Sequence, residues 1–243
     1  MILCKNCGNP FEGNYCNSCG QTAKTQRLNW HFIIDNIEHD VLHFDHGIIY
    51  TIRQIFIRPG ETIKKFIAGQ RKKYTHPLTY LVVISVVYYI FRSLLVPHEN
   101  AVDTSDVDKT IADFIYNYYS KIVMVIIIPL AALYTPIFYP GEPYNFVELF
   151  TFHCYIRGQF MIFELIVIIL NWLLVKSSVL LPSAALITVN IVFNVFFLCW
   201  ALKQFFNEKN FGFSFLKAVA LMIMLIMSAI MLTKVAALIL GGK

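Results

Sequence analysis

Charged residues are scarce in this 243-residue chain: Asp, Glu, Lys and Arg make up 14% of it, against about 25% in an average soluble domain. Hydrophobic residues make up 57%, which is more than a soluble fold of this length can bury. The apolar residues also form long blocks, as expected of a chain that passes between water and lipid. This composition excludes an ordinary soluble globular protein and predicts an all-α integral membrane protein.

The sequence also lacks several features that would indicate catalysis or export. It contains no Gly-rich phosphate loop and no recognisable constellation of nucleophile and base. Its first residues have no basic region followed by an apolar core, so we expect no cleavable signal peptide. These absences do not decide whether the protein is an enzyme, but they favour a non-enzymatic role.

Two copies of the motif CxxCG lie near the N-terminus, at Cys4–Gly8 and Cys16–Gly20. Two cysteines three residues apart can direct both thiolates at one ion, and the glycine accepts the positive φ that the turn requires. Two such knuckles complete a tetrahedral site, so residues 1–22 are predicted to form a zinc ribbon. The predicted Zn²⁺ ligands are Cys4, Cys7, Cys16 and Cys19.

Other interpretations of these cysteines have less support. A reducing cytoplasm disfavours disulfides, and a redox couple needs only one CxxC pair. Iron fits the same ligands, although nothing else in the sequence indicates electron transfer. A closed site of four thiolates leaves no position for water or substrate, so a structural role is expected. Cys154 and Cys199 lie in apolar surroundings and are predicted to be small buried hydrophobic residues.

Residues 27–77 are predicted to be amphipathic and basic helices that precede the membrane domain. Apolar residues recur every three or four positions from Trp30 to Ile48, which indicates a helix with one apolar face. The opposite face has a polar stripe, which is either a second metal site or a solvated, pH-sensitive surface. The stripe contains Asp35, His39, His43 and His46.

A basic segment lies between this region and the first long apolar block. Arg58-Pro59-Gly60 is predicted to end one helix, with a new segment from Glu61. Cations near the membrane surface favour anionic lipid headgroups by about 1 kcal/mol each, so we expect lipid rather than nucleic acid to be the partner. The cations of this segment are Lys64, Lys65, Arg71, Lys72 and Lys73.

Five transmembrane helices are predicted within residues 78–243, each near the length of about 20 residues that a crossing requires. They are placed at residues 78–97, 122–139, 156–175, 179–201 and 216–240, and the third is predicted to continue from a helix that approaches it. The N-terminal region and the loop at 202–217 are basic, whereas the loop at 98–121 is acidic. The positive-inside rule therefore predicts a cytoplasmic N-terminus, as expected of an inner-membrane protein.

Two ionisable residues in the predicted third span are candidate functional residues, because charge within the membrane is costly. Arg157 and Glu164 are seven residues apart on one helical face, so they are predicted to form an internal bridge or to line a polar cavity. The sequence has no pair of Gly/Pro-broken helices and no internal repeat of the kind found in alternating-access transporters.

Five motifs of the sequence are similar to those of a known protein family. They are the doubled CxxCG, Asp45-His46-Gly47 with Thr51, Arg58-Pro59-Gly60 with Ile63, Gly69-Gln70-Arg71-Lys72-Lys73-Tyr74 and Asn145-Phe146-Val147-Glu148. On these motifs the chain resembles, over nearly its whole length, the bacterial membrane proteins of the family called domain of unknown function 3667. Relatives usually carry His after the Glu of the last motif, where this chain has Leu149. The resemblance implies a zinc-ribbon protein of the bacterial inner membrane and no known activity.

These features favour a membrane adaptor or scaffold, whose ribbon and basic segment dock a cytoplasmic protein or organise lipid. A small transporter or channel that uses Arg157 and Glu164 is the first alternative. A membrane-surface or intramembrane enzyme, using the histidine stripe or Glu148 and His153, is the second.

Overall fold

The computed structural model describes residues 1–35, 47–96, 126–178 and 182–241. Two short strands, β1 (Ile2–Leu3) and β2 (Pro10–Phe11), pair antiparallel near the N-terminus. All other elements are helices, which confirms the predicted all-α membrane class. The helices are α1 (Trp30–Asp35), α2 (Gly47–Ile57), α3 (Pro59–Ala68), α4 (Pro77–Leu95), α5 (Ile126–Phe138), α6 (Phe146–Lys176), α7 (Ser183–Phe205) and α8 (Phe211–Gly241).

Four of these helices, α4, α6, α7 and α8, are long and apolar enough to cross a membrane. Between 17% and 28% of the residues in their apolar windows are buried inside the protein. Their remaining surface includes exposed Val192 and Phe196 on α7 and Ile226 on α8, which water would not solvate favourably. The protein is therefore a multi-pass membrane protein.

The observed helices correspond to four of the five predicted spans. Helix α6 begins at Phe146 and continues unbroken through the third predicted span, as expected from the approach segment. Pro182 precedes the first residue of α7, so it starts that helix and does not kink it. The predicted span at 122–139 begins outside the described residues, and α5 is its described part.

Helix α6 starts at Phe146 because its N-terminal amides are satisfied locally. The Asn145 side chain accepts a hydrogen bond from the Glu148 amide (2.9 Å), and the Glu148 carboxylate accepts one from the Asn145 amide (2.8 Å). This reciprocal capping box satisfies donors that have no partner within the helix. The motif Asn145-Phe146-Val147-Glu148 thus fixes the residue at which α6 begins.

Helices α4 and α6 run parallel, as the order of their contacts shows. The Tyr155 hydroxyl donates to the Thr75 carbonyl (2.6 Å), Tyr80 donates to Gln159 (3.0 Å), and Tyr88 donates to Glu164 (2.5 Å). Residue numbers rise together along both helices, so the chain between them must return across the membrane. Helix α5 lies in that returning part of the sequence.

Helices α6 and α7 are antiparallel, and aromatic rings fill their interface. Phe152 packs against Phe205, Phe160 against Phe197, and Phe163 against Phe193. The starts of α4 and α6 and the end of α7 therefore lie at one end of the bundle, here called the ribbon end. Cys154 and Cys199 are fully buried near this end, as predicted for small hydrophobic residues.

The predicted helix boundary at Arg58-Pro59-Gly60 is confirmed, but the second helix begins two residues earlier than predicted. Helix α2 ends at Ile57 and α3 begins at Pro59 rather than Glu61, because the first turn of a helix accepts proline without losing a hydrogen bond. Gly60 then lets α3 approach the backbone of α7 closely, and the Gly60 amide donates to Gln204 Oε1 (3.1 Å). Helix α3 is thereby fixed to the ribbon end of the bundle.

Substitution Gly60→Ala is expected to destabilise the protein by about 1–3 kcal/mol. A β-carbon at this position would lie 2.4 Å from both the Ala201 carbonyl oxygen and the Phe205 nitrogen, and neither backbone atom can move without distorting α7. Thermal unfolding of the detergent-solubilised protein measures the effect. Gly212→Ala is the matched control, since its β-carbon meets only the Asn210 side chain at 3.3 Å. Equal melting temperatures for the two variants would contradict the proposed packing.

Candidate metal centre and its junction with the membrane helices

The four N-terminal cysteines converge on one point. Their sulfur atoms all lie within 4.8 Å of one another, with Cys4 Sγ 3.5 Å from Cys19 Sγ and Cys7 Sγ 3.6 Å from Cys16 Sγ. A tetrahedral metal with bonds of about 2.3 Å to sulfur separates its ligands by about 3.8 Å. The four residues can therefore hold a metal ion.

The two knuckles repeat the same backbone geometry twelve residues apart. The Cys4 amide donates to the Asn9 carbonyl (3.0 Å), and the Cys16 amide donates to the Gln21 carbonyl (2.8 Å). In each knuckle, the glycine after the second cysteine has a positive φ, 79° at Gly8 and 70° at Gly20. Glycine accepts this conformation without strain, so the doubled CxxCG motif builds the site locally.

The thiols influence one another's ionisation because they are so close. Burial tends to raise the pKa of Cys19, but hydrogen bonds from the Gln21 amide and the Asn6 side chain outweigh it and lower the pKa to about 6. The Asn9 amide lowers the pKa of Cys7, but desolvation and the hydrogen bonds with the neighbouring thiols outweigh it, so the pKa rises to about 11. One thiolate thus opposes the ionisation of the others, and a bound cation would allow all four to ionise.

The ribbon, residues 1–22, is attached to the end of α3 through a buried glutamine. Gln21 Nε2 donates to the Gly69 carbonyl (2.8 Å), and its Oε1 accepts from the Arg71 amide (3.3 Å). Gly69 ends α3 with a left-handed φ of 113°, which turns its carbonyl and the next amides toward the ribbon. Lys5 adds a hydrogen bond to the Thr25 carbonyl (2.9 Å). The ribbon therefore has a fixed position on the protein.

A second attachment joins the segment after the ribbon to α6. Arg27 Nε lies 2.8 Å from Glu148 Oε1 and Arg27 Nη2 lies 2.7 Å from Glu148 Oε2, and Nη2 also donates to the Pro143 carbonyl. The hydrogen bonds and charge of Glu148 raise the pKa of Arg27. Asn145 Nδ2 donates to the Leu28 carbonyl (3.1 Å). The capping box of α6 is thus also the anchor of the N-terminal region.

Of the four residues in the predicted polar stripe, one lies in a described part of the chain. Asp35 is the last residue of α1, whereas His39, His43 and His46 lie outside the described residues. Within the ranges that the structure describes, the four cysteines are the one cluster with metal-ligand composition. A second metal site at the stripe stays a prediction.

The intramembrane residue Glu164 pairs with a different helix from the one predicted. Its carboxylate lies 3.4 Å from Arg92 Nη1 and accepts a hydrogen bond from Tyr88, both on α4. Arg157 is separated from Glu164 by about 10 Å along the axis of α6, whereas the parallel α4 places Arg92 at the same level. Arg157 itself is half-buried on α6.

Glu148 and His153, the residues considered for surface catalysis, are both buried. Glu148 is engaged by Arg27 and Asn145, and His153 Nε2 lies 2.7 Å from Thr135 Oγ1 of α5. Both side chains therefore hold helices together and do not face solvent.

Substitution Glu148→Ala is expected to loosen both the start of α6 and the attached ribbon. Loss of the reciprocal cap costs about 1 kcal/mol, and Arg27 loses its partner, so trypsin should cleave after Lys24 and Arg27 faster than in the unmodified protein. Limited proteolysis and thermal unfolding measure the two effects. Glu142→Ala, which removes an exposed carboxylate nearby, should behave like the unmodified chain. Unchanged cleavage in Glu148→Ala would rule out the anchoring role.

Comparison with known proteins finds a family model that matches part of the N-terminal half of the chain. No curated protein and no solved structure matches the chain. The ribbon and the helices after α4 lie outside the residues that a family model covers. Residues 45–89, which contain α2, α3, the basic segment and the first part of α4, match the family described as "Protein of unknown function (DUF3667)", and this match confirms the resemblance to that family.

Proposed function

We propose that this protein is a non-enzymatic scaffold of the bacterial inner membrane, whose zinc ribbon presents a docking surface to a cytoplasmic protein. The observation that carries the proposal is the double attachment of the N-terminal region: the ribbon is attached through Gln21 to α3, and the segment directly after it is attached through Arg27 to α6. A ribbon that acted independently of the membrane helices would need only a flexible linker to them. A ribbon fixed at two points is suited to holding a partner at a defined place on the membrane.

Zinc is the proposed metal of the four-cysteine site. Zn²⁺ binds four thiolates tetrahedrally in structural sites, and it has no redox chemistry of its own. Iron shares this ligand set, but a scaffold needs no electron transfer. The metal would hold the two knuckles together, because the ribbon's buried apolar cluster consists of little more than Phe11 and the cysteines.

The docking surface would include the residues that precede the first cysteine of each knuckle. Leu3 and Tyr15 are 70% and 68% exposed. Successive side chains of an extended segment point to opposite sides, so Leu3 and Tyr15 point away from the metal that Cys4 and Cys16 would bind. An exposed aliphatic residue and an exposed aromatic residue are suitable anchors for a protein partner.

The proposed orientation has the ribbon end of the bundle in the cytoplasm. Exposed Lys72 and Lys73 lie between the ribbon and the start of α4, where anionic headgroups of the cytoplasmic leaflet would attract them. The acidic loop at 98–121 would then face the other side. Free cysteines at the metal site agree with a reducing compartment.

A transport role has less support, because the Glu164 carboxylate is paired with Arg92 and Tyr88. Neutralisation by a neighbouring helix is the ordinary way to place a carboxylate within a membrane protein. The arrangement is consistent with a structural bond between α4 and α6.

Metal analysis of the purified protein should find one zinc per chain. The double variant Cys4→Ser/Cys16→Ser should lose it, because each knuckle loses a thiolate. Inductively coupled plasma mass spectrometry after gel filtration gives the ratio. The control variant Cys154→Ala/Cys199→Ala should keep the zinc, since those residues are buried in the bundle. Iron in place of zinc, or metal retained by the serine variant, would refute this assignment.

A photo-crosslinking amino acid at Tyr15 should capture a cytoplasmic protein in living cells. The same probe at Tyr15 in the Cys4→Ser/Cys16→Ser background should lose the product, because the docking surface depends on the folded ribbon. A probe at the exposed α7 residue Phe196 serves as the control and should react with lipid. Mass spectrometry identifies the adducts. Adducts at Tyr15 with lipid alone, or with a protein from outside the cytoplasm, would count against the scaffold or its orientation.

A further inference from the structure

Helix α2 exposes an apolar surface at the ribbon end of the bundle. Four of its large hydrophobic side chains are between 39% and 76% exposed, and Arg53 is its one charged residue. The neighbouring helix α3 is different, since its exposed residues are Glu61, Lys65 and Ala68. Water solvates such a polar face favourably, but not the face of α2. The exposed hydrophobic residues of α2 are Ile49, Tyr50, Phe56 and Ile57.

One boundary of the membrane lies near the second turn of α6. Phe152 packs against Phe205, the last residue of α7. The Tyr155 hydroxyl donates to the carbonyl of Thr75 (2.6 Å), two residues before α4 begins. An end of α4 and an end of α7 therefore lie at the level of Phe152 and Tyr155, and this level is here called the ribbon-side boundary.

The opposite boundary lies near Trp172. Lys176 Nζ is 4.0 Å from the centroid of the Trp172 ring, and both residue types are common where a membrane helix leaves the hydrocarbon core. Phe152 and Trp172 are 20 residues apart in α6, which is about 30 Å of helix and equals the usual thickness of that core. The two boundaries therefore enclose one membrane thickness.

Helix α2 slopes from the ribbon-side boundary toward the middle of the membrane. Near its start, Thr51 Oγ1 accepts a hydrogen bond from the Thr75 amide (2.9 Å), so this part lies at the boundary. Near its end, the centroid of the Phe56 ring lies 5.6 Å from that of Phe163. Phe163 is 11 residues beyond Phe152 on α6, about 16 Å along the helix axis. The last turn of α2 thus contacts the middle of a membrane-spanning helix.

The apolar surface at the end of α2 continues into the lipid-facing surface of α6. Ile166, one turn beyond Phe163, is 44% exposed in the middle of the span, where acyl chains are the surrounding medium. Phe56 contacts Phe163 and is itself 49% exposed, and Ile57 beside it is 46% exposed. The same medium can therefore cover both surfaces without interruption.

The charged residues near the end of α2 stay close to the boundary. Arg58 Nη1 lies 3.7 Å from Glu61 Oε2. Between them, the Gly60 amide donates to Gln204 Oε1 (3.1 Å) in the last turn of α7, so the pair lies level with the end of that span. Arg53 has a long apolar stem that can carry its charge to the same level. Hydrophobic side chains thus point into the membrane while the charges remain near the headgroups.

We propose that α2 is a membrane wedge, which inserts Phe56 and Ile57 among the acyl chains of the ribbon-side leaflet while α3 stays at the level of the headgroups. The partner of this surface is lipid hydrocarbon, because neither side chain offers a charge or a hydrogen-bonding group. The wedge does not depend on the proposed partner of the ribbon, nor on the side of the membrane that the ribbon faces.

A single tryptophan at the end of α2 tests the depth of the wedge. Phe56→Trp is made in the full-length chain with Trp30, Trp172 and Trp200 replaced by Phe, and the protein is reconstituted in dioleoylphosphatidylcholine vesicles. Vesicles whose acyl chains carry bromine should reduce its fluorescence about twofold, because the ring would lie within the hydrocarbon. Acrylamide, which quenches from the water, should have little effect.

Two matched variants in the same background calibrate the measurement. Phe196→Trp, on the exposed surface of α7, should be quenched by brominated lipid, and Lys65→Trp, on the exposed face of α3, should be quenched by acrylamide. Acrylamide quenching of Phe56→Trp equal to that of Lys65→Trp would overturn the proposal. Protection of Phe56→Trp from both quenchers would also overturn it, because protein would then cover this surface.

A second measurement avoids the tryptophan replacements. Benzoylphenylalanine at Ile57, in an otherwise unmodified chain, should form adducts with lipid acyl chains in the membrane, and mass spectrometry identifies them. The same probe at Lys65 should form far fewer. Adducts at Ile57 confined to protein, from a second copy of this chain or from another polypeptide, would refute the wedge.

Discussion

The ion pair between Arg27 and Glu148 is the contact on which the arrangement of the whole protein depends. It joins the four-cysteine ribbon and the segment after it to the first turn of a membrane helix, and the same carboxylate closes the helix's own capping box. Arg27 is largely exposed, so the energy of the pair is modest. Its importance is geometric, because it fixes where the chain enters the bundle.

Two further contacts make the ribbon end a single assembly. Gln21 connects the ribbon to the end of α3, and Gly60 lets the start of α3 lie directly on the backbone of α7. The residues that match the DUF3667 family model, 45–89, thus include α3, which contacts both the ribbon and α7, and the first part of the membrane helix α4. The basic segment of this chain lies between α3 and α4, so it links the two parts of the protein.

The features that the sequence predicts well are local ones. Cysteines three residues apart, each pair followed by glycine, predict a cluster that can hold a metal without knowledge of the rest of the fold, and long apolar blocks predict candidate spans. Arg58-Pro59-Gly60 marks a helix boundary for the same reason. The contacts of Gln21 with Gly69 and of Arg27 with Glu148 join residues 48 and 121 positions apart, so no local pattern reveals them. Glu164 is paired with Arg92 because α4 and α6 run parallel, and the periodicity within one helix cannot show how two helices are oriented.

The distance in sequence between Arg27 and Glu148 has a consequence for how the protein is made. The ribbon leaves the ribosome 121 residues before its anchor, which at about 5–20 residues per second corresponds to about 6–24 s. During that interval the ribbon has only its attachment to the end of α3, which leaves the ribosome earlier, while nascent helices enter the bilayer. The arrangement at the ribbon end is therefore completed late in biosynthesis, after the start of α6 has been made.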